Sequence, residues 1–548
     1  MSPRWSRRAA VLVLLAGVAV AFADSSIVVL ALPDLLRQFD VSILSVAWTI
    51  TAYNLAVAVG ALALAWGWRG RAARRVALFG TLLFVAASLL CGFAWALWPL
   101  VAFRSVQGLG AALLLVGALP LLRRLSRAGT VLWAGAGVFG AALGPAAGGA
   151  LTQLLSWRAI FFAQAPIAAL ALLVTAPSEE AVVDEEPQAG RLHRLAAHVA
   201  LALTSAALVG LLFLSVVLLV DVWRLSPLAA AAVVSAIPAA TLLGQPAAAR
   251  LGAAATVTGA VLLAGGLAGM AFLPSRSVAW VVVSLTIAGA GLGLVVTSLS
   301  RVALSGRGAG ATTVWVRHAG LVGGLLVLTP LLAGDLSSAG ERAKLEGIAT
   351  VLDAPANGST KLQLAVDLAP VLSRPASQGL PDFTHELEPA HDPARLAIGR
   401  RLDEVVHASV TRGFRPSFLV AALIALLAVL PGRALLPPPT RRRGLRGAAA
   451  ASVAAAALLG GELARGALSF GERPRLLPPC AERPPPPGGF GQRTLLTALD
   501  EIACRLHRTR EQLVADIAAT GVESARLVER LERYANRSFD LRDWLPGG

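Results

Sequence analysis

The stretch FADSSIVVLALPD, residues 22–34, places one carboxylate inside a long apolar segment. Asp24 lies between AVLVLLAGVAVAFA (10–23) and IVVLAL (27–32), and no basic residue is near it in the sequence. An ionised aspartate at the centre of a membrane-spanning helix costs about 2.5–3.5 kcal/mol, so it should face a protein interior or a wet cavity. Burial disfavours the charged form, and we therefore expect Asp24 to exchange a proton. The alternative is a structural aspartate that pairs with another helix or a water.

The composition is that of a membrane protein. Of 548 residues, 56% are hydrophobic and 15% are charged, and the mean hydropathy is +0.69. A helix of about 20 apolar residues crosses about 30 Å of hydrocarbon. The sequence contains twelve such runs, at residues 9–32, 44–66, 76–98, 100–122, 130–153, 158–176, 195–221, 226–249, 253–273, 277–300, 310–333 and 415–436.

Arginine is distributed unevenly between the loops that join these runs. With the amino terminus in the cytoplasm, the inner loops hold 20 arginines and the short outer loops hold 4. Positive residues favour the cytoplasmic side, so this asymmetry predicts that orientation. The net charge of +16 therefore reflects topology, and we expect no binding to nucleic acid. Arginine and alanine dominate as in GC-rich bacterial genomes, which indicates a bacterial plasma membrane.

The first 23 residues also fit a secretory signal, with a basic start, an apolar middle and small residues at Ala21 and Ala23. This alternative does not explain why the apolar pattern resumes directly as SSIVVLAL, residues 25–32. Removing the first run would also invert the charge pattern of every later loop. We therefore interpret the segment as a first span.

The runs form two groups of six. Residues 1–176 make an N-terminal bundle, residues 177–194 an acidic cytoplasmic linker and residues 195–436 a C-terminal bundle. Two related halves of this kind are typical of transporters whose substrate site lies near the midplane between them. An extracytoplasmic insert at 334–413 joins the last two runs, and its residues 394–414 have the pattern of an amphipathic helix.

The chain after the second bundle has two parts. Residues 437–470 are a basic segment followed by an apolar stretch. This stretch forms a thirteenth span near 447–469 if Glu462 and Arg465 pair or lie near the membrane interface. Residues 471–548 are a helical extension after a proline-rich linker, with helices predicted at 494–519 and 523–539. A thirteenth span would put this extension outside the cytoplasm, where Cys480 and Cys504 could form a disulfide.

Two of the spans carry polar motifs. Residues 24–33, DSSIVVLALP, are followed by Trp48, Thr51, Tyr53 and Leu55, and residues 104–112 read RSVQGLGAA. Both segments resemble the major facilitator superfamily, and more narrowly its drug:proton antiporter branch, in which the second motif is R-x-x-Q-G-x-G-A. The resemblance implies a part in proton coupling for Arg104 beside Asp24, and a motif role for Gln107 and Gly108. We expect Asp24 and Arg104 to face the central cavity, although the sequence does not show that they touch.

The fifth span contains the most specific motif, GAALGPAAGG, residues 140–149. It fits the antiporter pattern G-x-x-x-G-P-x-x-G-G through Gly140, Gly144, Pro145, Gly148 and Gly149. Small residues four apart let helix backbones approach closely, and the proline removes one backbone hydrogen bond and permits a bend. The resemblance covers about residues 10–333 and 415–436, and implies a fold of two six-helix bundles around a central cavity.

Two departures from the branch affect the mechanism. The branch usually has fourteen spans, but only the acidic linker lies between the two bundles here. The loop WGWRGRAARRV, residues 66–76, has Arg69 where the superfamily places an aspartate and Ala72 where it places a glycine. That aspartate is thought to latch the inner gate, so the gating role that the resemblance implies for Arg74 and Arg75 is in doubt.

These observations predict an all-α membrane protein that exports a hydrophobic or cationic organic compound by proton-coupled alternating access. The driving force is a proton gradient without a cofactor, the protein is a monomer in contact with lipid, and no enzyme activity is expected. Candidate residues of the cavity wall are Trp48, Tyr53, Trp133, Phe139, Arg317 and His318.

Other chemistries have little support in the sequence. It lacks a phosphate loop of the form G-x-x-x-x-G-K-[ST], and the acidic and histidine cluster HELEPAHD, residues 385–392, has no standard metal-ligand spacing. The rival hypothesis is a transporter-derived scaffold that no longer transports and presents its outer insert and C-terminal extension to a protein partner. A continuous polar cavity that reaches Asp24 and Arg104 would favour transport.

Overall fold

The computed structural model describes residues 7–67, 72–173, 190–252, 254–274, 276–305, 308–354, 393–436, 476–481 and 490–519, with a few isolated positions between these ranges. The described residues form helices and connecting turns, without a strand. Predictions for residues 177–189 of the linker, for residues 385–392 and for the helix at 523–539 lie outside these ranges. The same holds for Arg69, and for the thirteenth span apart from isolated helical positions.

Twelve described helices correspond to the predicted runs. They are α1 Arg7–Phe39, α2 Ile43–Gly67, α3 Ala73–Gly92, α4 Leu97–Leu125, α5 Gly129–Leu154, α6 Trp157–Leu173, α7 Arg191–Val222, α8 Pro227–Leu251, α9 Ala254–Ala271, α10 Val278–Ala303, α11 Ala309–Leu352 and α12 Arg395–Ala434. Eleven of the described helices are long and apolar enough to cross a membrane, and α6 is apolar but shorter. Helices satisfy their own backbone hydrogen bonds, which a lipid interior requires.

Two helices run past their predicted ends. The α7 helix begins at Arg191 rather than at 195, so the basic end of the predicted linker is already helical. The α11 helix continues to Leu352, although we expected the span to end at 333 and the insert to begin at 334. Its residues beyond 334 contain no glycine pair or proline that would end a helix.

Close backbone approach holds the N-terminal half together. The α1 helix packs on α5, and α4 packs on both α2 and α3. A Cβ atom added at Gly140 would lie 2.0 Å from the Ala19 carbonyl oxygen of α1, and one at Gly148 would lie 2.0 Å from that of Ile27. These distances leave no space for a side chain, so the glycine motif fixes α1 against α5.

The chain divides into two compact units. The first unit contains residues 1–273, 277–333 and 414–467. The helices α1 to α10 therefore lie entirely within it. In its C-terminal half, α10 packs on α8 and α9, and α12 packs on α7 and α9. Added Cβ atoms at Gly320 and Gly324 of α11 would meet the α7 backbone at Ala202 and Ala206, so α11 also lies close to α7.

The second unit combines the insert with the C-terminal extension, residues 334–413 and 468–548 with the turn 274–276. The structure has the amphipathic helix predicted at 394–414, as Pro393–Gly413. In the extension it describes α13, Phe490–Arg505, and α14, Arg510–Ala519. A disulfide joins Cys480 to Cys504, and Arg510 of the extension pairs with Asp353 of the insert.

Candidate functional site

An ion pair lies inside the N-terminal bundle. The Arg104 guanidinium on α4 donates through Nη1 to Oδ2 of Asp24 on α1 at 2.5 Å, and both side chains have 0% exposure. Arg104 also donates to the backbone oxygens of Thr49 at 3.0 Å and of Asp24 at 3.1 Å. Its guanidinium carbon lies 4.2 Å from the centroid of the Tyr53 ring. Neighbouring groups therefore satisfy both the charge and the donors of Arg104.

Two glutamines extend this network to other helices. Gln164 on α6 donates to the second carboxylate oxygen of Asp24 at 2.8 Å. Gln107 accepts from Arg104 at 2.7 Å and donates to the Ser88 hydroxyl of α3 at 2.8 Å. Gln164 and Ser88 were not predicted from the sequence, although an amide within FFAQAP, residues 161–166, was a usable signal. Gln107 is thus a direct partner of the ion pair.

The ion pair does not face the central cavity, contrary to the prediction. Phe22, Ser25 and Ser26 of α1 line the cavity, whereas Asp24 and Arg104 do not. Successive residues of a helix point about 100° apart, so Asp24 is turned from these neighbours toward α4 and α6. The partners of the Asp24 carboxylate, Arg104 and Gln164, both belong to the N-terminal half, in which Asp24 is fully buried.

The cavity lies between the two halves of the first unit. Its wall is formed by α1 and α5 from the N-terminal half and by α7, α8, α10 and α11 from the C-terminal half. Most lining side chains are apolar, including Trp133, Val209 and Leu292. The polar lining consists of hydroxyl groups and one cation, Arg317, and no carboxylate is present among the described lining residues.

The predicted wall residues divide into three groups. Trp133 and Arg317 line the cavity as predicted. Tyr53 and His318 do not line it and are fully buried, with the Tyr53 hydroxyl donating to the Ala21 carbonyl at 2.7 Å. Trp48 and Phe139 are 46% and 52% exposed and face away from the bundle, because their positions fall on the outer faces of α2 and α5.

The remaining motif residues lie away from the cavity except Pro145, which lines it. An added Cβ at Gly108 would lie 2.4 Å from the Tyr53 carbonyl oxygen, which brings α4 against α2. Gly144 approaches Ser26 of α1, and Gly149 approaches Pro227 of α8. Arg74 and Arg75 lie at the start of α3, where Arg74 is half-buried and Arg75 is exposed. They take no part in the ion-pair network.

Polar contacts join the two halves at both ends of α5. Near its first turn, Arg123 donates to Thr130 at 3.0 Å and to the Leu304 carbonyl of the C-terminal half at 3.1 Å. Near its last turn, the Gln153 side chain accepts from the Leu228 backbone N–H of α8 at 2.8 Å. These contacts bracket the cavity along the helix axis.

Comparison with known proteins supplies the family. The sequence profile of the Major Facilitator Superfamily matches residues 14–328. The drug efflux pump JefA of Mycobacterium tuberculosis (strain ATCC 25618 / H37Rv) is 32% identical over 193 residues, 34% of this chain and 38% of that protein. The puromycin resistance protein pur8 of Streptomyces alboniger is 39% identical over 172 residues, 29% of this chain and 33% of that protein.

A third relative, the methylenomycin A resistance protein of Bacillus subtilis (strain 168), is 34% identical over 173 residues, which are 30% of this chain and 36% of that protein. The chain thus matches little more than a third of the length of these curated relatives. Among solved structures, the chain is similar to a bacterial homologue of the human lysosomal transporter Spinster in an inward-facing and unoccupied conformation. The TM-score is 0.51 at 16% sequence identity, and the match covers 79% of this chain and 99% of that chain. This likeness confirms the predicted all-helical fold. Since the family profile covers more than half of the sequence, the chain belongs to the major facilitator superfamily.

Proposed function

We propose that the protein exports small, largely apolar organic compounds across the bacterial plasma membrane by alternating access. The observation that carries this proposal is the cavity, whose wall combines helices of both halves and is bracketed by contacts between the halves. Opening to one side would break the Arg123 contact to Leu304, and opening to the other would break the Gln153 contact to Leu228. The relatives named for efflux and resistance support the export direction.

Proton coupling is assigned to Asp24 in this proposal. Its carboxylate ties α1 to α4 and α6 through Arg104 and Gln164, so protonation would weaken the tie between α1 and the rest of its bundle. A proton can shift a conformational equilibrium only if it binds one state better than the other. Coupling therefore requires a second state, in which α1 has moved, Asp24 has left Arg104 and the proton binds more tightly.

The test measures efflux from a bacterial strain without its own exporters, using puromycin and methylenomycin A as probes. Asp24→Asn should abolish efflux that is sensitive to an uncoupler, yet retain exchange of labelled for unlabelled probe in proteoliposomes. Asp34→Asn is the matched control, because Asp34 is a half-buried partner of Arg37 on the same helix and takes no part in the Asp24 network. Undiminished uncoupler-sensitive efflux by Asp24→Asn would refute the coupling role, and absence of both efflux and exchange in the parent would refute transport of these probes.

The rival scaffold hypothesis retains one supporting observation, the unit that joins the insert to the extension. Transport does not require such a unit, which suits a protein partner. The cavity nevertheless favours a transporter over a scaffold, because a core that only supports a surface unit would gain stability from filling this space. A variant that lacks residues 471–548 separates the two hypotheses, since a scaffold would lose its function and a transporter would keep its efflux.

We also propose that the chain crosses the membrane once more between α12 and the extension. The insert and the extension belong to one unit, and Asp353 of the insert pairs with Arg510 of the extension. In the topology that the arginine distribution predicts, the insert between α11 and α12 lies outside the cytoplasm and the chain near Ala434 lies inside. The extension can therefore join the insert only if residues between 437 and 473 cross, and about 20 residues suffice for this.

Thiol labelling of intact cells tests this topology. A membrane-impermeant maleimide should label the protein only after a reductant opens the bond between Cys480 and Cys504. Cys91 is buried within α3 and provides no background. Labelling that requires permeabilised cells would place the extension in the cytoplasm and exclude the extra span.

A further inference from the structure

The hydrogen-bond donors of the cavity wall are almost all in use. Ser25 donates to the Phe22 carbonyl at 2.7 Å, and Thr241 and Ser300 donate to carbonyls of their own helices at 2.8 and 2.7 Å. The Trp133 indole N–H is likewise taken by the Leu115 carbonyl at 3.1 Å. A hydroxyl that donates in this way keeps its lone pairs, so these groups offer acceptors to the cavity.

Arg317 is the exception on this wall. Its guanidinium carries a permanent positive charge and five N–H donors. The guanidinium lies over the ring of Phe22, with 4.5 Å between the guanidinium carbon and the ring centroid. Among the described residues, no carboxylate lies within ion-pair distance of Arg317, and no acceptor forms a hydrogen bond with it.

Two acidic side chains of the described spans lie beside arginines other than Arg317. Asp24 is paired with Arg104, and Asp221 lies 4.0 Å from Arg37 near the end of α7. His318, next to Arg317, uses Nδ1 for a contact of 2.8 Å with the Val314 carbonyl and does not line the cavity. The cavity therefore has an uncompensated positive charge in a largely apolar wall.

We propose that the cavity binds an organic anion with an apolar, aromatic body, and that Arg317 holds its acidic group. A carboxylate or sulfonate matches the fork of a guanidinium, with which it forms short charge-assisted hydrogen bonds. The aromatic body would pack against Trp133 and Phe22, whose ring centroids are 5.3 Å apart. The sequence predicted a hydrophobic or cationic compound; a cation would meet the like charge of Arg317, so an anion replaces the cationic alternative. It rests on the proposed function in taking the bound molecule to be the transported one.

The test compares two probes with the same body and opposite charge. Binding of 2-naphthoate and of 2-naphthylmethylammonium to the purified full-length protein in lipid nanodiscs is measured by calorimetry. The parent should prefer the carboxylate, and Arg317→Gln should lower the affinity for the carboxylate about 10- to 100-fold, as expected for loss of a charged hydrogen-bond partner. The same variant should bind the ammonium probe as well as the parent or better.

Arg415 supplies a matched control. Its guanidinium carbon lies 4.2 Å from the ring centroid of Phe272, yet Arg415 does not line the cavity, so Arg415→Gln should leave both affinities unchanged. Arg317→Lys should retain part of the preference. Equal affinity for the two probes, or failure of the carboxylate to bind, overturns the proposal. Anion binding without efflux would instead refute the proposed function, while efflux of uncharged probes without anion preference would refute only this inference.

Discussion

Two arginines within the spans, Arg104 and Arg317, have opposite surroundings. Arg104 has a carboxylate, an amide oxygen and two backbone oxygens as partners, and Tyr53 covers its face. Arg317 lies at a cavity wall against the Phe22 ring, without a carboxylate among the described residues. A fully paired charge stabilises one arrangement of helices, whereas an unpaired charge next to open space can bind a ligand. Position in a membrane span alone therefore does not tell which role a charge has.

The largest difference in the free energy of unfolding is expected between variants that lack one or the other arginine. Arg104→Met leaves Asp24 buried without its partner and should lower the free energy of unfolding by about 3–5 kcal/mol. Arg317→Met orphans no acidic group and should change it by less than about 1 kcal/mol. Both variants are measured by unfolding in mixed micelles of increasing denaturing detergent.

A rescue experiment sharpens this result. The double variant Asp24→Leu with Arg104→Met replaces the ion pair by apolar groups, and should recover most of the stability that Arg104→Met loses. If the double variant is as unstable as the single one, the loss comes from packing rather than from the orphaned carboxylate. Equal losses for Arg104→Met and Arg317→Met would contradict the comparison itself.

A substitution that separates α1 from α5 should have an intermediate effect on the free energy of unfolding. Gly140→Ala would place a methyl group 2.0 Å from the Ala19 carbonyl oxygen, and should destabilise the protein by about 1–3 kcal/mol. Gly135→Ala on the same helix meets no atom within 4 Å and should be neutral or stabilising by up to about 1 kcal/mol. The same detergent titration measures both. Similar effects of the two substitutions would show that the close approach of the helices does not matter.

The smallest effect is expected away from both arginines, at Ala72. This residue has a φ of 54°, a left-handed conformation that costs an alanine about 1–2 kcal/mol. Ala72→Gly should therefore gain about 0.5–1 kcal/mol after the added flexibility of the unfolded chain is subtracted. The adjacent helical Ala73→Gly should lose about as much. A loss at Ala72 would contradict this assignment, and neither change should alter probe binding.

Apolar run length was enough to predict the twelve helices that the described residues form at these positions. The glycine motif also predicted the close approach of α5, because a missing side chain matters at short range in any fold. Helix ends were less accurate at α7 and α11, where the helix continues into polar sequence that a hydropathy pattern treats as loop.

The site was harder to predict because it depends on rotation about a helix axis. Asp24 and Arg104 were identified from their cost in lipid, but hydropathy does not distinguish a side chain that faces the cavity from one that faces the neighbouring helix. Trp48 and Phe139 were wrong as wall residues for the same reason. The charge proposed for the substrate rests on which charged side chain is left without a partner, and this requires the distances between side chains.

One ring connects the two arginines. Phe22 carries the Arg317 guanidinium on its face and lies two positions before Asp24 on α1. An anion that draws Arg317 off this ring would remove a contact from the same helical turn whose carboxylate binds Arg104. The substrate and the proton would then both act on a single turn of α1, and coupling between them would need no conformational signal across the protein.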